Sequence, residues 1–216
     1  ASDLHLHGVW IPLITPFDKS DAVDVEAVER LCNEYLADGA AGIVALGTTG
    51  ESPALDADEK RAVIDACARV CAARGAPLIV GTGTNNTRST IAATKALADV
   101  PSVVGALVVV PYYVRPSEAA IIEHYRAVAQ ASPVPVIAYN IPVRTGRGLG
   151  EGASGHCGGA TVHGGSPRIT CMGSRGEFSP QVGGDLVDVR RVEQREVVAF
   201  DGDDGQARAH LVPAER

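Results

Sequence analysis

Apolar runs alternate with segments of helical periodicity along the first two-thirds of the chain. Apolar residues recur every three to four positions over 24–38, and similar stripes follow from Asp56, over 87–98 and after Ser117. Between these helices lie short apolar runs without polar alternation, which predict strands buried on both faces, as in a parallel sheet. The five predicted strands are GVWIPLITPF, GIVALG, PLIVGTGT, GALVVVPYY and PVIAYNIP.

Polar side chains collect where these predicted strands end. They are Thr15, Thr48, Thr49, Thr82, Thr84, Tyr112, Tyr113, Tyr139 and Asn140. A β/α barrel keeps its active site at the C-terminal ends of its parallel strands. A doubly wound open sheet usually carries a glycine-rich phosphate loop after its first strand, and LITPFDKSD has none. The sequence therefore predicts an α/β fold of the (β/α)8 TIM-barrel type.

The pattern changes after about residue 150. The segment EGASGHCGGATVHGGSPR is rich in glycine and has no helical period. Beyond it we predict only strands within ITCMGSRGEF and VVAFDGDDG and a weak helix over 180–196. We therefore expect two regions: residues 1–150, which hold the N-terminal β/α units, and residues 151–216, an irregular remnant of strands six and seven. Because an eight-stranded barrel needs about 250 residues, we expect this sheet to remain incomplete.

Composition and charge exclude several classes of protein. The net charge of −7 and the lack of a clustered basic face argue against a nucleic-acid partner. No apolar run approaches the roughly 20 residues of a membrane span, and ASDLHLHGVW lacks the features of a secretory signal. We expect a cytoplasmic location and no membrane partner.

The cysteines do not predict a metal site or a disulfide framework. There are five, without paired ligand spacing, and Cys67 and Cys71 stand four apart in a predicted helix. We expect both to face the core as small apolar groups. Neither a metal nor an organic cofactor is predicted.

The second predicted strand ends in Gly-Thr-Thr-Gly, which is followed at once by Glu51. Two threonine hydroxyls and the backbone N–H groups of such a turn can hold a small anion. The alternative is a polar turn that leads into the next helix. These residues alone leave both interpretations open.

Three motifs together resemble a known family. GTTGES at 47–52, PYYVRPSE at 111–118 and YNIPVRTG at 139–146 are similar to those of the dihydrodipicolinate synthase and N-acetylneuraminate lyase family of pyruvate-dependent β/α-barrel lyases. GVWIPLITPF and GTGTNNT also fit, so the resemblance covers residues 8 to about 148. The motifs are most similar to the synthase branch, which condenses pyruvate with aspartate semialdehyde on the path to lysine.

The resemblance implies a role for each motif residue. Tyr139 would move protons near a Schiff base and connect through the Thr49 hydroxyl to Tyr113, which in the family reaches into a neighbouring subunit's site. Thr48 and Thr49 would hold the pyruvate carboxylate. Arg144 would bind the carboxylate of the aldehyde or brace the entrance. Taken singly, each residue also has a simpler interpretation. Tyr139 and Tyr113 would only cap strands with their rings, Arg144 would be a surface charge on a loop, and the two threonines would only satisfy the amides of their turn. The family also implies at least a homodimer.

The lysine that forms the family's Schiff base is missing. It lies at the end of the sixth strand, whereas the three lysines here are Lys19, Lys60 and Lys95. The best local match, ITCMGSRGEF, has Gly173 near the expected position. We expect the known lysines to lie in a loop or on outward helix faces, so none replaces it.

Three explanations of this absence remain open. The first is a lyase whose reading frame is disturbed over residues 151 to about 167 and at the step from Cys171 to Gly173, which DNA sequencing in all three frames would test. The second is a non-catalytic homologue that keeps the keto-acid pocket. The third is a nonfunctional product.

Overall fold

The structure, a computed structural model, describes residues 6–149, 169–173, 196–201 and 208–213, the last three segments as backbone. The first five strands are β1 (Gly8–Pro12), β2 (Gly42–Ala45), β3 (Leu78–Gly81), β4 (Val103–Val109) and β5 (Val136–Asn140). The helices between and after them are α1 (Val25–Ala37), α2 (Ala57–Arg74), α3 (Thr87–Lys95), α4 (Glu118–Ala131) and the short α5 (Pro142–Thr145). The final strands are β6 (Ile169–Gly173), β7 (Glu196–Asp201) and β8 (Arg208–Pro213).

The main helices begin where their capping residues predict. Asp24 and Ser117 accept hydrogen bonds from backbone N–H groups in the first turns of α1 and α4. Asp56 and Glu59 form a reciprocal capping box at the start of α2. Helix α3 ends at Lys95, three residues before the predicted end, because the chain there tightens into i to i+3 turns as far as Val100.

Strands β1 to β6 form a parallel sheet in chain order, which confirms the predicted fold class for the β/α units. The strands are shorter than the apolar runs that predicted them. In particular, β1 ends at Pro12, although the N–H of Leu13 still bonds the carbonyl of Val44. Most of the polar residues at the ends of these runs therefore lie in loops at the C-terminal edge of the sheet, whereas Tyr139 and Asn140 end β5 itself.

The C-terminal strands depart from the prediction. The segment VVAFD, expected as a remnant of the seventh strand of a parallel barrel, forms β7, but β7 pairs antiparallel with β1. The unpredicted strand β8 pairs antiparallel with β7. An antiparallel pair needs only a short connection, here residues 202–207, whereas a parallel pair needs a long crossover. The segment 151–167 and the helix predicted over 180–196 lie outside the described residues, apart from Glu196 in β7, so the predicted division at residue 150 stays a prediction.

The sheet is curved around an inner apolar cluster. That cluster draws one or two side chains from each of the first five strands: Trp10, Val44, Ile79, Leu107, Ile137 and Tyr139. On the outer side, α1 and α2 cover β1 to β3, and α4 covers β4 and β5. The two end strands of the sheet, β6 and β8, approach within 8 Å between Cα atoms without pairing. The described strands thus form an incomplete barrel.

The helix faces agree with the predicted stripes. Cys67 and Cys71 are buried in the outer core, as predicted, together with Cys32. Within the described residues no helix combines the length and the apolar character that crossing a membrane requires.

Candidate active site

The loop after β2 changes direction sharply over the end of β3. Leu46 adopts a left-handed backbone conformation, with a φ of 55°. Its carbonyl oxygen lies so close to Gly81 that a Cβ on that glycine would stand 2.0 Å from it. Only glycine lets the two backbones approach so closely. Gly81 therefore fixes where the loop passes.

Two successive turns place the paired threonines. The N–H of Gly50 bonds the carbonyl of Gly47 at 3.1 Å, and the N–H of Glu51 bonds that of Thr48, also at 3.1 Å. Thr48 is exposed at the tip, whereas Thr49 is half-buried. The segment is a polar turn, as the alternative interpretation has it, and the binding of an anion by its hydroxyls stays a prediction.

A cavity of about 260 Å³ opens at the C-terminal ends of the strands. Its apolar lining comes mainly from Leu46, Leu107, Val109 and Ile141. Its polar lining comes from Thr48, Ser52, Tyr112, Tyr139, Arg144 and Thr145. A concave, mainly apolar site with a few polar groups from different loops suits a small organic ligand.

The loop after β5 is held by its own side chains. The amide of Asn140 both donates to the carbonyl of Leu149, at 3.1 Å, and accepts from its N–H, at 3.0 Å. The buried hydroxyl of Thr145 shares its one proton between the carbonyls of Ile141, at 3.1 Å, and Arg147, at 2.5 Å. Arg144 is exposed on this fixed segment and faces the cavity.

The two tyrosines after β4 occupy different places. Tyr112 lines the cavity, whereas Tyr113 adopts a φ of 70° and is 87% exposed. The N–H of Val114 bonds the carbonyl of Tyr112 at 2.8 Å, which closes a tight turn around Tyr113. The loop therefore directs the two adjacent rings to different surroundings.

The structure thus brings together three of the five predicted site residues. Thr48, Tyr139 and Arg144 line one cavity, and the ring of Tyr139 is buried at its base, 6% exposed. Thr49 and Tyr113 are not among the described residues that line it. The catalytic and binding roles of all five stay predictions.

Three polar residues of the cavity lining, Ser52, Tyr112 and Thr145, received no role from the sequence, although Tyr112 was among the polar residues predicted at strand ends. Each one stands inside or beside a motif that was selected. The motifs therefore marked the correct loops. Which of the adjacent residues in a loop faces the cavity depends on the backbone angles of that loop, which the motif does not give.

The position expected for the Schiff-base lysine lies beside Tyr139. In the pairing of β5 with β6, Tyr139 stands opposite Met172 and Asn140 opposite Gly173. Lys19 and Lys95 are exposed, Lys60 is half-buried, and none of the three lines the cavity. The described part of the site therefore contains no primary amine.

Comparisons with known proteins agree with this geometry. The sequence profile of the Dihydrodipicolinate synthetase family matches residues 5–152. The chain is 43% identical over 145 residues to a 4-hydroxy-tetrahydrodipicolinate synthase of Salinibacter ruber, an alignment that covers 67% of this chain and 47% of the relative. A protein of the same name from Sorangium cellulosum is 45% identical over 146 residues, with coverage of 67% and 48%.

Among solved structures, the chain resembles the chloride-inhibited dihydrodipicolinate synthase of Acinetobacter baumannii in complex with pyruvate. The TM-score is 0.70 and the identity 34%, over 78% of this chain and 56% of that one. The chain spans about half the length of the curated relatives that it matches. The matched profile and the fold together show that the chain belongs to the dihydrodipicolinate synthetase family.

Proposed function

We propose that this chain carries the pyruvate-binding half of an aldolase-type lyase that condenses pyruvate with aspartate semialdehyde, the reaction of a 4-hydroxy-tetrahydrodipicolinate synthase. The observation that carries the proposal is the cavity at the strand ends, which Thr48, Tyr139 and Arg144 line together. The similarity to synthases over residues 5–152 supports it.

In this proposal the threonine loop binds the carboxylate of pyruvate. The hydroxyls of Thr48 and Thr49 and the N–H groups of their turn are donors that suit a small anion. The apolar side chains of Leu107 and Val109 provide a surface for the methyl group. Arg144 binds the carboxylate of the aldehyde substrate, because its planar guanidinium can donate two parallel hydrogen bonds.

Tyr139 moves the protons of the reaction, with Thr49 as its link to Tyr113 of a neighbouring copy. A phenol suits this role because it both donates and accepts hydrogen bonds. In the full reaction a lysine amine attacks the keto carbon of pyruvate and expels water, which gives a Schiff base. A lysine at the end of strand six would perform that step, and Gly173 lies near that position here.

A second candidate function follows from the lysine positions. A homologue without the amine keeps the carboxylate loop and the apolar cavity, and binds a small keto acid without converting it. The three lysines, all away from the cavity, favour this candidate for the chain as written.

Two measurements on the purified chain test these proposals. Calorimetric titration with pyruvate is expected to show binding, and Thr48→Val is expected to weaken it about five- to tenfold by removing a donor. Acetone, which lacks the carboxylate, serves as the control ligand and is not expected to bind.

Treatment with pyruvate and borohydride, followed by intact-mass measurement, separates the two candidates. An unchanged mass with measurable binding supports the keto-acid binder. A reduced pyruvate adduct supports the lyase, because it shows that an amine of the chain forms a Schiff base with pyruvate. If the chain neither binds pyruvate nor forms an adduct, both proposals are wrong, and the third explanation, a nonfunctional product, remains.

We also propose that the chain self-associates through the mouth of the site. Tyr113 and Val143 are each 87% exposed, and Val114 is 59% exposed, which leaves apolar surface beside the cavity. Sedimentation velocity is expected to show at least a dimer, and Tyr113→Ala to shift it toward the monomer. A chain that stays monomeric at high concentration would contradict this. A cytoplasmic location stays a prediction.

A further inference from the structure

Thr15 lies where the chain leaves β1, and it is buried although it is polar, with 6% of its surface exposed. Its hydroxyl donates a hydrogen bond of 2.7 Å to the carbonyl of Gly50, 35 residues away. Thr15 is not among the residues that line the cavity. The proposed function therefore gives this buried hydroxyl no direct contact with substrate.

The bond connects β1 to the loop that carries the paired threonines. Gly50 directly follows Thr49, and a Cβ at Gly50 would stand 3.1 Å from the carbonyl oxygen of Leu13. The loop thus lies against the segment that leaves β1. Thr15 holds the carbonyl at the point where the loop turns back.

The loop needs contacts of this kind because its own backbone is strained. Leu46 and Glu51, which flank it, have φ angles of 55° and 51°. Residues with a Cβ avoid this region, so it persists only where surrounding contacts impose it. The hydrogen bonds inside the loop, from Gly50 to Gly47 and from Glu51 to Thr48, fix the turns but not the position of the loop relative to β1.

We infer that Thr15 is a positioning residue for the carboxylate-binding loop. By fixing the carbonyl of Gly50, it fixes where the turn of Thr48 and Thr49 stands relative to the cavity, which Thr48 lines. Because a hydrogen bond weakens steeply as its angle departs from linear, a looser loop binds a carboxylate less tightly. This inference rests on the proposed function, which makes the loop the carboxylate site.

The test compares Thr15→Val, which keeps the shape but removes the hydroxyl, with Thr15→Ser, which keeps the hydroxyl. Pyruvate titration is expected to give a Kd about five- to tenfold higher for the valine variant and within about twofold of the original for the serine variant. Thr15→Ala removes the same hydroxyl and repeats the comparison if the valine variant does not fold.

Ser132→Ala is the matched control. Ser132 caps the end of α4, and its hydroxyl donates to the carbonyl of Val134 at 2.5 Å. This bond lies just before β5 begins, at the N-terminal edge of the parallel strands, whereas the cavity opens at their C-terminal edge. The Ser132→Ala variant loses a hydrogen bond from a hydroxyl to a carbonyl, as Thr15→Val does, but away from the cavity. Its Kd for pyruvate is therefore expected to stay unchanged even if its Tm falls. A residue of merely structural importance at position 15 would behave like this control.

A second measurement needs no ligand. Hydrogen exchange of the amides of Gly50 and Glu51, followed by NMR, is expected to be faster in Thr15→Val and unchanged in Thr15→Ser. If exchange in the valine variant equals that of the original chain, or if it rises while the Kd for pyruvate stays the same, the inference is wrong. A chain that binds no pyruvate at all refutes the proposed function, whereas the exchange result still decides whether Thr15 holds the loop.

Discussion

Gly81 and Gly75 are required for different reasons, close backbone packing at Gly81 and a left-handed backbone conformation at Gly75. A Cβ at Gly81 would stand 2.0 Å from the carbonyl oxygen of Leu46 and 2.7 Å from its carbon, and this backbone cannot turn aside as a side chain could. Gly75 caps α2 with a φ of 64°, and a Cβ there would meet nothing within 4 Å.

We therefore expect Gly81→Ala to lower the free energy of unfolding by about 2–3 kcal/mol, as overpacking does. Gly75→Ala is the control and is expected to cost about 1 kcal/mol, from backbone strain alone. Urea unfolding of both variants measures the difference. Equal losses would show that the loop after β2 yields to the extra methyl group.

The three buried cysteines predict low reactivity. The sulfurs of Cys32 and Cys67 lie 3.6 Å apart in the core, and Cys71 is buried nearby in the same cluster. The hydrogen bond with Cys32, together with burial, raises the pKa of the Cys67 thiol well above its usual range, and burial raises the pKa of Cys71 to about 12.

Because the thiolate is the reactive form, we expect iodoacetamide at about pH 8 to leave Cys67 and Cys71 unmodified in the folded chain. Cys32 is expected to stay unmodified because its side chain is fully buried. All three are expected to react in concentrated urea. Peptide mapping by mass spectrometry measures this directly, with the unfolded sample as the control. Rapid native labelling of any of the three would contradict their burial between α1 and α2.

At the scale of elements, His124 connects α4 to α3. Its Nδ1 lies 2.9 Å from the hydroxyl oxygen of Thr87 at the start of α3, and its Nε2 is buried without a hydrogen-bond partner among the described residues. Burial lowers the pKa of the His124 imidazole. The folded chain therefore favours the neutral ring.

The sign of the pH dependence follows from this shift. Below the unfolded pKa of about 6.5, the unfolded chain binds a proton that the folded chain resists, so stability falls as the pH decreases. We expect Tm to decline between about pH 6.5 and 5 and His124→Gln to reduce that decline. Thermal unfolding of the original chain and of His124→Gln across this pH range measures the difference. The carboxylates titrate in both proteins, so their contribution cancels in the comparison. Parallel Tm profiles would exclude His124 as a source of the acid sensitivity.

At the scale of the whole molecule, the antiparallel pair β7–β8 covers the edge of β1. The pairing joins Gly8 with Phe200, Val9 with Ala199 and Trp10 with Val198. An uncovered strand edge presents free N–H and C=O groups that pair with other chains. The C-terminal hairpin therefore covers the edge of β1, and the described sheet ends at β6 and β8 instead.

A chain that stops at residue 195 is expected to aggregate, because it loses both strands of this hairpin. Dynamic light scattering on matched concentrations of the full and shortened chains measures the effect. A shortened chain that stays monodisperse would mean that the edge of β1 needs no cover.

The parts of this protein that local sequence determined are the helices with their caps and the parallel β/α units. Asp24, Asp56 and Ser117 mark helix starts through bonds to residues three positions on, so short-range chemistry is sufficient. The apolar stripes likewise depend only on helical period, and the site motifs stand at strand ends in any parallel sheet of this kind.

Only the tertiary structure decided the direction of β7, the existence of β8 and which motif residues share the cavity. An apolar run of strand length is compatible with either pairing direction, and the choice depends on the connection and on which edge is open. Tyr112 faces the cavity and Tyr113 does not because the backbone turns at Tyr113, with a φ of 70°. That angle is imposed by the closure of the loop, so no pattern of residue types along the chain could reveal it.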